Sequence, residues 1–267
     1  MGREATATFL PMLAFDSSSR ASCLVPSTRI FCDLRLGPGA QFTLPPEAAQ
    51  HVAKALRLKA GDAITVFDGR GGEYEATLQR LDKDRVDVKV GAFREASTEP
   101  RIAVGLVQGL PEADKMDWII QKSVELGVAW IQPLVCDRSV VRLSGERAAR
   151  REAHWRRVAV AACEQCGRDR IPEVRPTLGF THWIAEPTGI TRWMLAPGAE
   201  PLVSMPAPTA PLELVVGPEG GLSDRERELA LSRHCLPLSL GPRVLRTETA
   251  SLAALAAIHA LWADFRP

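Results

Sequence analysis

Two glycine-containing turns near the C-terminus hold the residues best suited to chemistry. The first, Gly217-Pro218-Glu219-Gly220-Gly221-Leu222-Ser223, follows the apolar run 212–216. The second, Leu240-Gly241-Pro242-Arg243-Val244-Leu245-Arg246-Thr247-Glu248-Thr249-Ala250, follows the shorter run 236–240. Each reads as a strand running out into a turn and then a helix, the place where open α/β sheets bind ligands. Side by side, the turns would offer backbone N–H and C=O groups to one small molecule. Neither is a phosphate loop. There is no G-x-G-x-x-G and no Lys-Ser/Thr after a glycine run, so dinucleotides and nucleoside triphosphates are disfavoured. An acid, Glu219, stands where an anion-binding loop would carry none, which favours a neutral or cationic ligand.

Other reactive side chains are less telling. Six cysteines stand at 23, 32, 136, 163, 166 and 235, mostly within apolar or helical stretches, a pattern that suits a reducing cytosol. Cys163-Glu164-Gln165-Cys166 has C-x-x-C spacing, but no second ligand pair accompanies it for zinc. It also follows an already helical run rather than opening a helix, so inert thiols are expected. Net charge is only +1, yet ten Lys/Arg against five Asp/Glu fall between Arg138 and Arg175. Arginine suits phosphate contact, although a solvated basic helix face explains the same charges.

The elements that must position the turns follow from patterning. A chain of 267 residues with 46% hydrophobic and 24% charged residues fits two globular domains or one large one. No apolar run approaches the roughly 20 residues of a membrane helix. Residues 1–28, with a Ser-rich tract at 17–22, read as a disordered N-terminal extension. From 29 to 90 the pattern is β-rich: a helix at 46–58, strands at 63–67, 74–81 and 86–90, then a linker at 91–99. Beyond it strand and helix alternate, which implies a largely parallel sheet. Strands are expected at 102–110, 130–136 and 193–195. Helices are expected from an Asp114 cap to 126, over 145–167, from the Ser223 capping box to about 233, and over 250–262. Alanines 253, 254, 256, 257 and 260 would let that last helix approach another backbone closely, in the core or across a subunit interface.

With Gln121-Lys122-Ser123-Val124-Glu125-Leu126-Gly127-Val128 and Ala161-Ala162-Cys163-Glu164-Gln165-Cys166-Gly167-Arg168, the two turns resemble the SPOUT superfamily of methyltransferases. Within it the chain is similar to the family that methylates N3 of a uridine in small-subunit (16S) ribosomal RNA. The resemblance covers about residues 29–262. It implies an α/β fold: a C-terminal SPOUT domain (100–267) with a mostly parallel sheet and a deep trefoil knot, an exception to unknotted chains. Ahead of it would lie a PUA-like β-barrel RNA-binding domain (29–92). It further implies a cytoplasmic homodimer that binds S-adenosylmethionine and acts on small-subunit ribosomal RNA or the assembled small subunit, without metal or membrane.

Site residues follow from the same resemblance. Leu195, Gly217, Glu219, Gly220, Leu240, Gly241, Leu245, Thr249 and Ala250 would bind the cofactor, with adenine against Leu240 and Leu245. Its positive sulfonium makes Glu219 tolerable nearby, though Glu219 also fits a plain turn residue. Uracil N3 carries a weakly acidic imide proton. Arg246 would stabilise the developing anion and Glu248 would act as base or orient the arginine, helix N-terminal capping being the bland role for Glu248. Arg57, Lys59, Arg138, Arg142, Gln165, Arg168 and Arg170 form the candidate RNA face, and Arg243 would bind phosphate or pair with Glu219. A SPOUT enzyme for another RNA and a non-catalytic RNA-binding assembly factor remain the alternatives.

Overall fold

The computed structural model describes residues 28–54, 58–82, 85–95, 98–112 and 114–263. Its first part is a five-stranded sheet with one helix: β1 (Arg29–Phe31), β2 (Gln41–Thr43), α1 (Pro46–Lys54), β3 (Ala63–Phe67), β4 (Glu73–Leu81) and β5 (Val86–Arg94). The strand order is β1-β3-β4-β5-β2, antiparallel except for the parallel β1–β3 pair. Alternation sets the faces: Val86, Val88 and Val90 are buried while Lys89 and Gly91 are exposed. Ala49 and Val52 of α1 join the same core. The linker expected at 91–99 is corrected here, because Gly91–Arg94 continues β5. Its residues look polar in sequence but have cross-strand partners. Phe93 meets the Tyr74 ring at 5.1 Å between centroids, and Arg94 pairs with Glu73.

The second part alternates as expected: β6 (Val104–Gly109), α2 (Lys115–Glu125), β7 (Trp130–Val135), α3 (Gly145–Cys166), β8 (Glu173–Val174), β9 (Leu178–Gly179), α4 (Phe180–Ala185), β10 (Thr191–Leu195), β11 (Leu212–Val216), α5 (Asp224–Ser232), β12 (Leu236–Leu238) and α6 (Thr247–Trp262). Every pairing in the order β12-β10-β11-β6-β7-β8 is parallel, and β9 also pairs with β7. β6 and β11 are buried along their whole length, as central parallel strands must be, which is why their sequences run apolar without alternation. β8, β9 and α4 had no periodic signal, since two-residue strands and a six-residue helix are too short to show one.

Helix ends differ in how they are held. Ser223 and Glu226 form the anticipated capping box: Ser223 Oγ accepts from the Glu226 N–H while the Glu226 carboxylate accepts from the Ser223 N–H. Asp114 occupies the N-cap of α2 without a side-chain cap bond, and its carboxylate lies 3.4 Å from Arg151 instead. α6 begins at Thr247, three residues earlier than the alanine pattern indicates. It packs on α2, β6 and β11. Ala254 is buried, Ala253, Ala256 and Ala257 are half-buried, and Ala260 is exposed.

The two parts meet along a polar seam. Glu164 of α3 accepts the Phe31 N–H at 2.9 Å, Asp169 accepts the Gly72 N–H at 2.5 Å, and Arg29 donates to the Arg168 carbonyl at 3.0 Å. The end of α3 and the short segment after it therefore dock the first sheet onto the second.

Candidate functional site

Both glycine turns open onto one cavity of about 540 Å³ at the C-terminal ends of β10, β11 and β12. That volume lies in the range of small-molecule sites, at the sheet edge where α/β folds bind ligands. The first turn leaves β11 and folds back tightly. A Cβ on Gly217 would come within 2.8 Å of the Leu222 nitrogen, so only glycine fits. Gly221 donates to the Pro218 carbonyl at 2.8 Å to close the turn. Arg138 reaches across from the loop after β7 and donates to the carbonyls of Gly220 and Leu222 at 3.0 and 3.3 Å. The second turn leaves β12, and Gly241 at φ +97 takes its left-handed position. The Ser223–Glu226 capping box extends the brace, because Glu226 also accepts the Asp137 N–H at 2.8 Å.

The walls are mixed. Leu195, Leu238, Leu240 and Leu245 supply an apolar side, whereas Lys115, Arg138, Glu219, Arg227, Arg243, Arg246 and Glu248 supply charge. Glu219 Oε1 accepts from Lys115 Nζ at 2.7 Å and from the Glu112 N–H at 3.0 Å. Partial burial pushes the Glu219 carboxyl up, but the Lys115 bond and the backbone N–H groups outweigh it and hold its pKa below the ordinary value. Lys115 is raised in turn, first by that bond, which outweighs an opposing burial effect, and further by the nearby charges of Glu219, Glu248 and Glu112. Glu248 Oε2 is buried without a hydrogen-bond partner among the described residues. Glu248 as a residue is half-buried and lines the cavity, so its carboxylate is an acceptor at the site.

The residues expected to bind a cofactor or do chemistry converge here. Leu195, Gly217, Glu219, Gly220, Leu240, Gly241, Leu245, Ala250, Arg246 and Glu248 all line the cavity. Thr249 does not, and this is a correction: the helical rotation after Glu248 turns it outward and leaves it exposed. Arg243 lines the cavity, but Glu219 pairs with Lys115 rather than with it. Lys115 and Arg227 lay outside the expected set. Lys115 enters because the loop after β6 ends at the same sheet edge as the loop after its parallel neighbour β11, a signal that appears only once strand order is known.

Of the expected RNA face, Arg168 alone is buried among the described residues, whereas Lys59, Arg138, Arg142, Gln165 and Arg170 are exposed. Arg168 is corrected outright. It is 4% exposed, bonds Glu99 through two guanidinium nitrogens, and donates to the carbonyls of Val124 and Val128 at the end of α2. Four of its five N–H donors are spent inside the protein. Arg142 is exposed and bonds the Asp137 carbonyl, Gln165 and Lys59 are exposed, and Arg57 lies outside the described residues. Arg170 is exposed, with its guanidinium against Gly71 at the seam. The thiol reading agrees with the geometry. Burial pushes Cys32, Cys136 and Cys163 up to about 12, and raises Cys166 as well. No group of three metal-ligating side chains occurs among the described residues, and no helix among them is long and apolar enough to cross a membrane.

Comparison with known proteins adds the following. Residues 98–259 match the family model described as RNA methyltransferase domain, and residues 44–91 match the one described as RNA methyltransferase PUA domain. The ribosomal RNA small subunit methyltransferase E of Bacillus subtilis is 33% identical over 227 residues, covering 81% of this chain and 89% of that protein. Among solved structures, the ribosomal RNA small subunit methyltransferase E of Neisseria gonorrhoeae bound to S-adenosyl methionine superposes with a TM-score of 0.86 at 36% identity, covering 90% of this chain and 100% of that one. A Legionella pneumophila protein solved in complex with SAM gives a TM-score of 0.87 at 37% identity, covering 90% of this chain and 100% of that one.

Proposed function

This chain belongs to the RNA methyltransferase family, with a PUA domain ahead of the methyltransferase domain, and on that premise we propose that it methylates N3 of a uridine in small-subunit ribosomal RNA. The observation that carries the reading is the cavity between the two glycine turns, with its leucine side, its fixed backbone groups and the carboxylates of Glu219 and Glu248. These features fit S-adenosylmethionine. A purine ring suits Leu195, Leu240 and Leu245, and a positive sulfonium suits the carboxylate of Glu248, since Glu219 is already paired with Lys115. When bound, S-adenosylmethionine supplies an electrophilic methyl group on a positively charged sulfur.

The chain's own residues then have three tasks. The turns hold the cofactor through backbone groups, with Gly217 and Gly220 allowing the tight packing of the first turn against Leu222 and Arg138. Arg246, which caps α6 and lines the cavity, faces the acceptor base and stabilises the negative charge that spreads over the uracil carbonyls as N3–H ionises. Glu248, which lines the cavity two residues after Arg246, takes that proton or holds the guanidinium in place. N3 bonds to the methyl carbon as the carbon–sulfur bond breaks, and the electron pair stays on sulfur. The division of labour is a PUA-like RNA-binding domain over 29–92 and a SPOUT domain over 100–267, and the working unit is a cytoplasmic homodimer with a knotted C-terminal domain.

The decisive measurement is mass mapping of small-subunit ribosomal RNA from a strain lacking the gene, complemented by wild type or by Arg246→Ala. Loss of one N3-methyluridine that only wild type restores supports the assignment. An unchanged modification profile refutes it and turns attention to another RNA.

A further inference from the structure

Beneath the cavity, reaching its wall at Thr247, lies a buried polar cluster that the proposed chemistry does not use. Gln108, at the end of β6, is fully buried, as is Ser251 of α6, and Thr247 at the start of α6 is 6% exposed. Gln108 Nε2 donates to its neighbour's carbonyl, Gly109, and to Thr247 Oγ1, each at 2.9 Å. Thr247 Oγ1 donates to the Gly217 carbonyl at 2.6 Å. The Ser251 hydroxyl lies against Gln108 Oε1 and 3.0 Å from the Thr247 carbonyl. Both amide hydrogens, the amide oxygen and the threonine hydroxyl are thus used, and their direction is set by the fixed carbonyls at either end.

Position makes this more than a satisfied core. Gly217 is the first residue of the first turn, and Thr247 is where the second turn becomes α6. In the sheet, Gln108 stands opposite Val216, directly before Gly217. One hydroxyl therefore ties the two turns together at the point where each leaves its element, 30 residues apart in the chain. No other side-chain hydrogen bond between residues of the two turns occurs among the described residues.

We propose that Thr247, held by Gln108, is a positioning residue that sets the spacing of the two turns and so determines affinity for the cofactor. The inference rests on the reading of the cavity as the S-adenosylmethionine site. Valine in place of threonine keeps the shape and removes only the hydroxyl, leaving the Gly217 carbonyl and one Gln108 N–H unpaired. A loss of that size is about tenfold in affinity if it is felt in the bound state.

The test is calorimetric titration of S-adenosylmethionine into the full-length protein, with melting temperatures measured alongside. Thr247→Val is expected to weaken binding about tenfold, and Thr247→Ser, which keeps the hydroxyl, to bind within twofold of wild type. If Thr247→Val does not fold, Thr247→Ala is read in its place against the same serine rescue. A valine variant that melts lower yet binds the cofactor as wild type does would make the cluster merely structural and overturn the proposal. Equal weakening by serine and valine overturns it too, since the hydroxyl would then not matter. Wild type failing to bind S-adenosylmethionine sinks both this inference and the reading of the cavity, an outcome distinct from the other two.

Discussion

Glu219 shows how one side chain can serve a turn and a ligand together. Its carboxylate ties the loop before α2 to the first glycine turn through Lys115 and the Glu112 N–H. Because its folded pKa is held below the ordinary carboxylate value, the tie is complete above that ordinary value and is lost as pH falls through the folded pKa. Cofactor affinity should therefore be insensitive to this group near neutrality and fall in acid, and Glu219→Gln should remove that acid limb in a titration series. Arg246→Ala is expected to lower kcat by about 10²–10³-fold while leaving cofactor affinity near wild type, read from single-turnover rates and titrations. Arg138 changes meaning in the folded protein. Since it braces the carbonyls of the first turn, Arg138→Glu should weaken cofactor binding as well as any contact with RNA.

At the level of elements, the segment after α3 is where sequence and structure part most clearly. Cys163 to Arg170 is rich in groups that suit RNA, yet Arg168 closes α2 by taking the Val124 and Val128 carbonyls and pairing with Glu99. Removing one partner of a buried ion pair costs about 3 kcal/mol or more, so Arg168→Ala should lower unfolding stability by that order in denaturant titrations. A charge count cannot tell a solvated arginine from one that neutralises a helix end, because the difference lies in which carbonyls come near. By contrast, the strand-turn-helix reading of both glycine turns needed only local pattern, and the cavity they line contains all but Thr249 of the expected cofactor set.

For the whole molecule, the seam between the two sheets fixes how the PUA-like part stands relative to the cavity. Glu164 and Asp169 hold it through the backbone of Phe31 and Gly72. If both parts grip RNA, a rigid seam raises the effective concentration of the second contact. Glu164→Ala with Asp169→Ala should then cut RNA affinity about tenfold and leave cofactor affinity unchanged, measured by filter binding and calorimetry. Equal loss of both affinities would mean that the seam supports the catalytic part itself.

Local patterning alone determined the alternation of strands and helices, the capping box at Ser223, the apolar central strands and the two turns as the place for a ligand. Each of these depends on residues close in the chain, where period, glycine and capping side chains act over a few positions. The tertiary structure decided the rest: that Gly91–Arg94 extends a strand, that Arg168 faces inward, that Lys115 joins the cavity, and that Thr247, held by Gln108, bonds Gly217. Those outcomes hang on parallel strand order and on hydrogen bonds between residues dozens of positions apart. Loop-closure entropy must be overcome before such contacts form, and no local pattern encodes which partners will meet.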